Sequence, residues 1–412
     1  MSVLFRWAIA LVLLLSQAAA DPTLQYLPQG NYQFPFYSSV PLGTQNTQIK
    51  RLVFALHGIG GNALQDFTTV TGNFPNIMFE TAFVTPYFYC SGDSTVASNA
   101  LTFCAGWLDG TASDQNSTLY SFDMIDQLVL LAKKNFPSIN YYIFAGHSAG
   151  GQTILRYASS TQIGIAEYLY ANVKYIVAGA GTYLYLNSYR LNSNVDPTTI
   201  CQSLDNCPLT QNDFVQNYVP PPPRQSCSVY DSGKYGLSSV NDPSQPPNYA
   251  QRATADWIFN SLVERNITYM VGDLDTVANY KLDVTCSAMA QGPASRKMRF
   301  LIFSRYMQIF FPVYQQYQNH KIVPGCPHSD PCIYSSKEFE LEVYSGTTIN
   351  PPDLPPASSI TDSGSLPDST PVAKVSGNGG STSSAPSALP SSVLVGACTV
   401  AIAAVLSGLW AL

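Results

Sequence analysis

The sequence predicts an α/β class: a mostly parallel sheet flanked by helices. Three observations carry that expectation. Short continuous apolar runs recur, such as Leu-Val-Phe-Ala-Leu at 52–56, as strands buried on both faces require. They alternate with segments whose apolar residues return every three to four positions, the helical period. One junction between the two kinds, residues 141–158, reads strand, glycine-rich turn, helix.

Taken in order, residues 26–40 read as a strand or hairpin entry. Residues 50–56 are a buried strand ending in His57-Gly58-Ile59-Gly60-Gly61, followed by a short helix over 63–70. A strand at 81–86 leads to a Gly/Ser-rich loop with Cys90, Cys104 and Trp107. Residues 122–136 form a helix, with Ile125, Leu128, Val129, Ala132 and Phe136 on one face and Ser121 or Asp123 as its cap. After the 141–158 junction comes a strand at 173–179. Residues 186–249, rich in Asn, Ser, Pro and Gln, are too long for an ordinary connection and read as an ordered insertion between two core strands. A cap over a pocket and a surface excursion both fit it. A helix at 251–264 (Trp257, Ile258 and Leu262 inward) and a strand at 267–272 follow. Helices are expected at 284–291 and 297–311, a last strand at 321–324 and a terminal helix at 335–344.

Both ends read as processing signals. Residues 1–20 carry Arg6, an apolar run and Ala18-Ala19-Ala20, the pattern of a secretory leader cut after Ala20. The catalytic unit then spans 21–345, and 346–392 is a Ser/Pro/Thr-rich stalk without hydrophobic pattern. Residues 393–412 are apolar to the last position, preceded by a polar spacer and by Asn378, Gly379 and Gly380. Small residues, spacer and apolar tail are the signal for a glycosylphosphatidylinositol anchor at one of those three residues. The reading is therefore of an extracellular, membrane-attached protein.

Charged residues are only 11% of the chain and net charge is −6 without a basic cluster, which argues against a nucleic-acid partner. Solubility then rests on uncharged polar residues and on glycans at the sequons of Asn116 and Asn266. Of nine cysteines, Cys398 lies in the tail. Proximity pairs Cys90 with Cys104, Cys201 with Cys207 and Cys326 with Cys332, leaving Cys227 for Cys286, in an oxidising compartment. The absence of a Cys-x-x-Cys and the scattered histidines argue against zinc, and neither a metal nor a cofactor is expected.

The chemistry centres on Gly146-His147-Ser148-Ala149-Gly150. In a nucleophile elbow the serine sits in a strained backbone conformation, so its neighbours two before and two after must be small, as Gly146 and Gly150 are. A serine needs a base, and the base a carboxylate. Among four histidines, His147 is expected to point away as a structural residue and His57 belongs to the first Gly-rich loop. His320 precedes the last strand, at the wrong end of the sheet, whereas His328 follows it, so His328 is the expected base. Asp275 is the expected acid, with Asp273 and Asp283 as alternatives. The oxyanion hole is expected from the N–H groups of Ala149 and Ile59, with Gly60 as the next choice.

The order Ser148, Asp275, His328 is that of the α/β-hydrolase fold. The chain resembles α/β-hydrolase-fold serine hydrolases, and is similar to a group of secreted microbial members. The matching residues are His57 to Ala63, Trp107, Gly110, Gly146 to Gln152 and Arg156-Tyr157-Ala158. Further along they are Asp275, Leu282-Asp283, Ala288 to Gly292, Arg296 and Val323-Pro324-Gly325 to His328. This resemblance implies Ser148, Asp275 and His328 as the triad; the Cys-rich insertion and the anchor depart from the plainer members. The expected activity is hydrolysis of a small-molecule or polymeric carboxylic ester. Amide hydrolysis on the same machinery and a non-catalytic surface binding protein are the competing readings.

Overall fold

The structure is a computed structural model. It describes residues 22–344 apart from 91, 105, 164–171, 225, 241, 243–246 and 279–280. The segments expected to be a leader, a stalk and an anchor signal, with Asn378, Gly379 and Gly380, lie outside the described residues. Among the described residues no helix is long and apolar enough to cross a membrane.

Eight strands form one sheet: β1 (Leu24–Gln29), β2 (Tyr32–Ser38), β3 (Arg51–Leu56), β4 (Thr81–Pro86), β5 (Tyr141–His147), β6 (Asn172–Ala178), β7 (Ile267–Gly272) and β8 (Gln318–Val323). Their spatial order is β1-β2-β4-β3-β5-β6-β7-β8. The β1–β2 and β2–β4 pairs are antiparallel. From β4 to β8 every pair is parallel. Among the described residues the helices of eight residues or more are α1 (Ala63–Asn73), α2 (Ser121–Asn135), α3 (Ala149–Ser160), α4 (Ala255–Glu264), α5 (Arg296–Phe310) and α6 (Lys337–Tyr344).

The apolar runs are continuous because each strand feeds two cores. Leu52, Phe54 and Leu56 of β3 point to the side covered by α2, α3, α4 and α5. Val53 and Ala55 point to the side covered by α1 and α6. Period-two alternation across a sheet with both faces covered leaves no polar positions in the strand. On the first face Phe54, Phe144 and Tyr175 stack across three adjacent strands, with centroids 5.1 and 5.3 Å apart.

Four expected boundaries shift, each for a local reason. Residues 284–291 contain only a four-residue helix, Cys286–Met289. It is short because Cys286 is bridged to Cys227 and Gly292, at φ +129°, turns the chain away. The last strand starts earlier than expected, so His320 lies inside β8 rather than before it, opposite Tyr269 of β7. The cap of α2 is Tyr120, whose N–H donates to Asp123 at 2.9 Å, while Ser121 turns inward to the Trp107 carbonyl. The terminal helix expected at 335–344 starts at Lys337 as α6, after a separate short helix at Asp330–Tyr334 that ends at Ser335.

All four expected disulfides are present: Cys90–Cys104, Cys201–Cys207, Cys227–Cys286 and Cys326–Cys332. The insertion is mostly irregular, with a two-residue ribbon pairing Arg190–Leu191 to Phe214–Val215. It is nonetheless fastened. Arg190 is fully buried, bonds Asp231 at 2.7 Å and lies over the Tyr185 ring. The Tyr235 hydroxyl donates to Asp283 at 2.6 Å, and Cys227–Cys286 ties the insertion to the segment after β7. At its far end Tyr249 donates to Asp126 on α2.

Candidate active site

The sheet's connections diverge at β3. Its own crossover, through α1, runs outward to β4, whereas β5 lies on the other side. Ligands of open α/β sheets bind beyond the C-terminal strand ends at such a divergence. The register pairs Leu56 with Gly146, so the loop after β3 and the turn after β5 emerge side by side.

Ser148 occupies that turn at φ 58°, ψ −117°, a left-handed conformation that a residue with a side chain avoids. The strain is held from both sides. Ser148 N–H donates to Ala178 O of β6, and its carbonyl accepts from Gln152 in the first turn of α3. The demand for small neighbours is steric. A Cβ on Gly146 would lie 2.3 Å from the Gly150 backbone, and one on Gly150 would lie 2.2 Å from Leu56 O. Neither neighbour can yield, because each is backbone of a central strand or of the helix against it. Gly150→Ala is therefore expected to destabilise the fold by about 3 kcal/mol, read as a lower denaturant midpoint at unchanged slope.

Three chain segments converge on the serine. Ser148 Oγ lies 2.9 Å from His328 Nε2, and His328 Nδ1 lies 2.7 Å from Asp275 Oδ2. With the Nδ1 proton donated to the carboxylate, Nε2 is left as acceptor for the hydroxyl. Asp275 is 2% exposed. Its strand and that of His328 are neighbours, and the two following loops touch: Leu274 N–H donates to Cys326 O at 3.0 Å. That approach requires Gly272, since a Cβ there would sit 2.1 Å from Cys326 O. The Cys326–Cys332 bridge brackets His328. Burial lowers the pKa of His328 below the usual imidazole value, against the opposing pull of Asp275; charge at His147 and Arg296 lowers it further.

The other expected partners lie elsewhere. Asp283 is bonded to Tyr235, at the insertion. His320 bonds Ser304 at 2.7 Å and stacks on Tyr269, away from the serine. Burial pushes its imidazole down to about 4. His57 lies beneath the Gly-rich loop: its Nδ1 donates to Gly58 O at 2.8 Å and its Nε2 accepts from Phe88 N–H at 3.1 Å. Burial holds it at about 4, so it is neutral and locks that loop.

Of the expected oxyanion donors, Ala149 opens α3, where the first N–H groups lack intrahelical acceptors. Ile59 is 46% exposed and Gly60 adopts φ +111°; the Ile59 carbonyl accepts from Lys281 at 3.3 Å. Gly58 is the loop residue against the nucleophile, its Cβ position being 3.6 Å from Ser148 Cβ. Asn116 and Asn266 are both half-buried.

One expectation is reversed. His147 does not point away: its ring centroid lies 4.5 Å from that of His328, and its Nδ1 bonds Asp330. Strand alternation turns His147 to the face opposite Gly146, and His328 returns over the same face. Asp330 and Arg296 complete the surroundings, the latter buried with Nη1 3.8 Å from Asp275 Oδ1. His147, Asp275 and His328 bring potential metal-ligand atoms within 4.8 Å of one another. Both nitrogens of His328 are engaged, however, and the Arg296 guanidinium already faces Asp275, so a cation would have to displace one of them.

An elbow serine after β5, an acid after β7 and a histidine after β8, on a sheet ordered 1-2-4-3-5-6-7-8, decide the architecture. This is the α/β-hydrolase fold. No family model and no curated protein matches the chain. Solved structures similar to it include LpqC, a poly(3-hydroxybutyrate) depolymerase from Bordetella parapertussis. It is 15% identical, with 76% of this chain and 87% of that one covered, at a TM-score of 0.46. Poly(aspartic acid) hydrolase-1 from Sphingomonas sp. KT-1 is 17% identical, covering 76% and 96%, at 0.45. FphF, a fluorophosphonate-binding serine hydrolase of Staphylococcus aureus, is 12% identical, covering 78% and 98%, at 0.38.

Proposed function

We propose that this chain is a serine hydrolase that cleaves carboxylic esters through an acyl-enzyme. The observation that carries the reading is the hydrogen-bonded line from Ser148 through His328 to Asp275 at the C-terminal edge of the sheet. In this mechanism His328 takes the proton as Ser148 Oγ attacks the ester carbonyl, then gives it to the departing alcohol. Water, activated by the same imidazole, releases the acid. Asp275 keeps the Nδ1 tautomer and balances the imidazolium. The N–H groups of Ala149 and Ile59, or Gly60, hold the oxyanion. The insertion is fastened to the segment after β7 through Tyr235 and Asp283. The cavity of about 610 Å³ between the insertion and residues 284–294 is a separate space, since none of its lining residues belongs to the Ser148 group.

The leader, the stalk and the lipid-anchor signal assign the enzyme to the cell surface, with attachment at Asn378, Gly379 or Gly380 and glycans on Asn116 and Asn266. Four disulfides are compatible with that compartment.

A panel of nitrophenyl esters of increasing chain length, beside matched anilides, tests the reaction class. Esters are expected to turn over and anilides not; the reverse result transfers the assignment to amide bonds. His328 must be neutral to accept the serine proton, and its pKa is lowered. Protonation on acidification therefore comes late, and the acid limb of kcat/KM is expected below pH 6.5, the ordinary imidazole value.

A further inference from the structure

We propose that Gln152 is a specificity-determining residue, which presents its side-chain NH₂ to an oxygen carried by the acyl group of the substrate. The inference rests on the reading of Ser148 as nucleophile and His328 as base, and adds a substrate feature to it. Gln152 lies in the first turn of α3, and its backbone N–H donates to the Ser148 carbonyl at 3.1 Å. Residues four apart on a helix share a face, so its side chain leaves α3 on the side of the elbow.

The direction of the amide is decided by its partners. Gln152 Oε1 accepts from the Thr182 hydroxyl at 2.6 Å and from Arg156 Nη2 at 3.2 Å. A guanidinium has donors only, so the atom turned to it is the oxygen. The same Nη2 donates to the Thr182 hydroxyl at 3.0 Å, which leaves that hydroxyl's own proton for the amide oxygen. Arg156 is pinned in turn by the Leu108 carbonyl at 3.2 Å and the Asp109 carboxylate at 2.6 Å. A flipped amide would lose two hydrogen bonds and set its NH₂ against a cation. The NH₂ is thereby held on the other side. Among the described residues it meets no acceptor, and Gln152 is half-buried rather than enclosed.

The surroundings of this donor are rigid. The loop after β6 passes beside it: a Cβ on Gly181 would lie 3.5 Å from Gln152 Nε2 and 3.4 Å from Leu282 Cδ1. Gly181 O accepts from Arg299 Nη1 at 2.7 Å, and Tyr183 N–H donates to Gln291 Oε1 at 2.7 Å. A donor fixed in this way costs little rotamer entropy when a ligand engages it.

The part of the substrate it meets follows from the two faces of the sheet. The alcohol must leave beside His328 Nε2, and the loop bearing His328 packs through Cys326 and Ile333 on the face of α1 and α6. Helix α3 packs on the opposite face. The acyl group extends from the reacting carbon in a different direction from the alcohol, and is the part that runs toward α3. Four residues advance a helix by about 6 Å. An oxygen on the third carbon beyond the ester carbonyl has that reach.

The test compares two esters on the full chain. Nitrophenyl levulinate carries a ketone at that carbon, and nitrophenyl isocaproate has a methyl group in place of the ketone oxygen. Each kcat/KM is divided by the rate with hydroxide, which removes the difference in intrinsic reactivity. The ratio is expected to favour levulinate by about tenfold, as one hydrogen bond allows. Gln152→Glu keeps an oxygen for Thr182 and Arg156 and turns the NH₂ into an acceptor, so the ratio is expected to fall below one. Gly181 is outside the left-handed region, so Gly181→Ala fits, and its methyl group beside Nε2 is expected to bring the ratio toward one. A Gln152 that only braced the helix would change both rates alike and leave the ratio where it was. A ratio near one in the unaltered protein, or one unmoved by Gln152→Glu, overturns the proposal. Should Gln152→Glu not fold, Gly181→Ala must still lower the ratio. Failure of the underlying reading looks different, because then Ser148→Ala retains whatever activity either ester shows.

Discussion

Ser148→Ala is expected to abolish covalent labelling by a fluorophosphonate and to lower kcat/KM for esters by roughly 10⁵-fold or more, with the fold intact. The magnitude follows from the division of labour. The hydroxyl oxygen is the nucleophile that forms the acyl-enzyme in the proposed scheme. Without it only oxyanion stabilisation and binding remain. The fold is expected to survive, because the strain at φ 58° is held by backbone hydrogen bonds to Ala178 and Gln152 that alanine also makes. His328→Ala should cost about as much, since serine and base act as one unit and their losses do not add. Labelling that persists in Ser148→Ala would place the nucleophile elsewhere and end the hydrolase reading of this site.

Asp275→Asn is expected to lower kcat by about 10⁴-fold while KM changes little. The carboxylate accepts the Nδ1 proton of His328 at 2.7 Å. An amide can offer its NH₂ instead, which stabilises the tautomer with the proton on Nε2. That nitrogen then donates toward Ser148 Oγ rather than accepting from it, and the serine loses its base. Geometry and substrate binding are preserved, so the loss appears in turnover. The substitution also removes the negative charge facing Arg296, which is 2% exposed and 3.8 Å away. A buried cation deprived of that partner is costly, so stability is expected to drop by roughly 3 kcal/mol. Measuring kcat and the unfolding midpoint on the same preparation separates the two effects.

Much of this site was legible in the chain because its signals are local. Gly146 and Gly150 flank a serine between a strand and a helix, and the clash distances explain why no other residue fits. Asp275 and His328 were legible because each follows a strand, and parallel strands deliver their following loops to one edge. The four bridges were legible because three join near neighbours and the fourth is what remains. Other features carry no local signal. Asp330 is one aspartate among several in sequence; its contact with His147 arises from the return of a loop after β8 to a strand laid down 183 residues earlier. His147 was misread for a related reason. Its orientation follows from strand alternation, but its neighbour is set by tertiary packing. The helix expected at 284–291 gave way because a disulfide and a left-handed glycine outweighed apolar periodicity. His320 was misplaced because the polar start of β8, Gln-Asn-His-Lys, lacks the apolar pattern of the other parallel strands. There the edge position relaxes the demand for burial on both faces.

The sequon at Asn266 runs into β7, and Thr268, whose hydroxyl is part of the signal, is 0% exposed between β6 and β8. A glycosyltransferase needs that tripeptide extended and accessible. Sugar can be added there only on the nascent polypeptide, before the strand docks. Occupancy at Asn266 would thus record a race between modification and folding, whereas Asn116, on a loop with Thr118 exposed, stays open to the enzyme for longer.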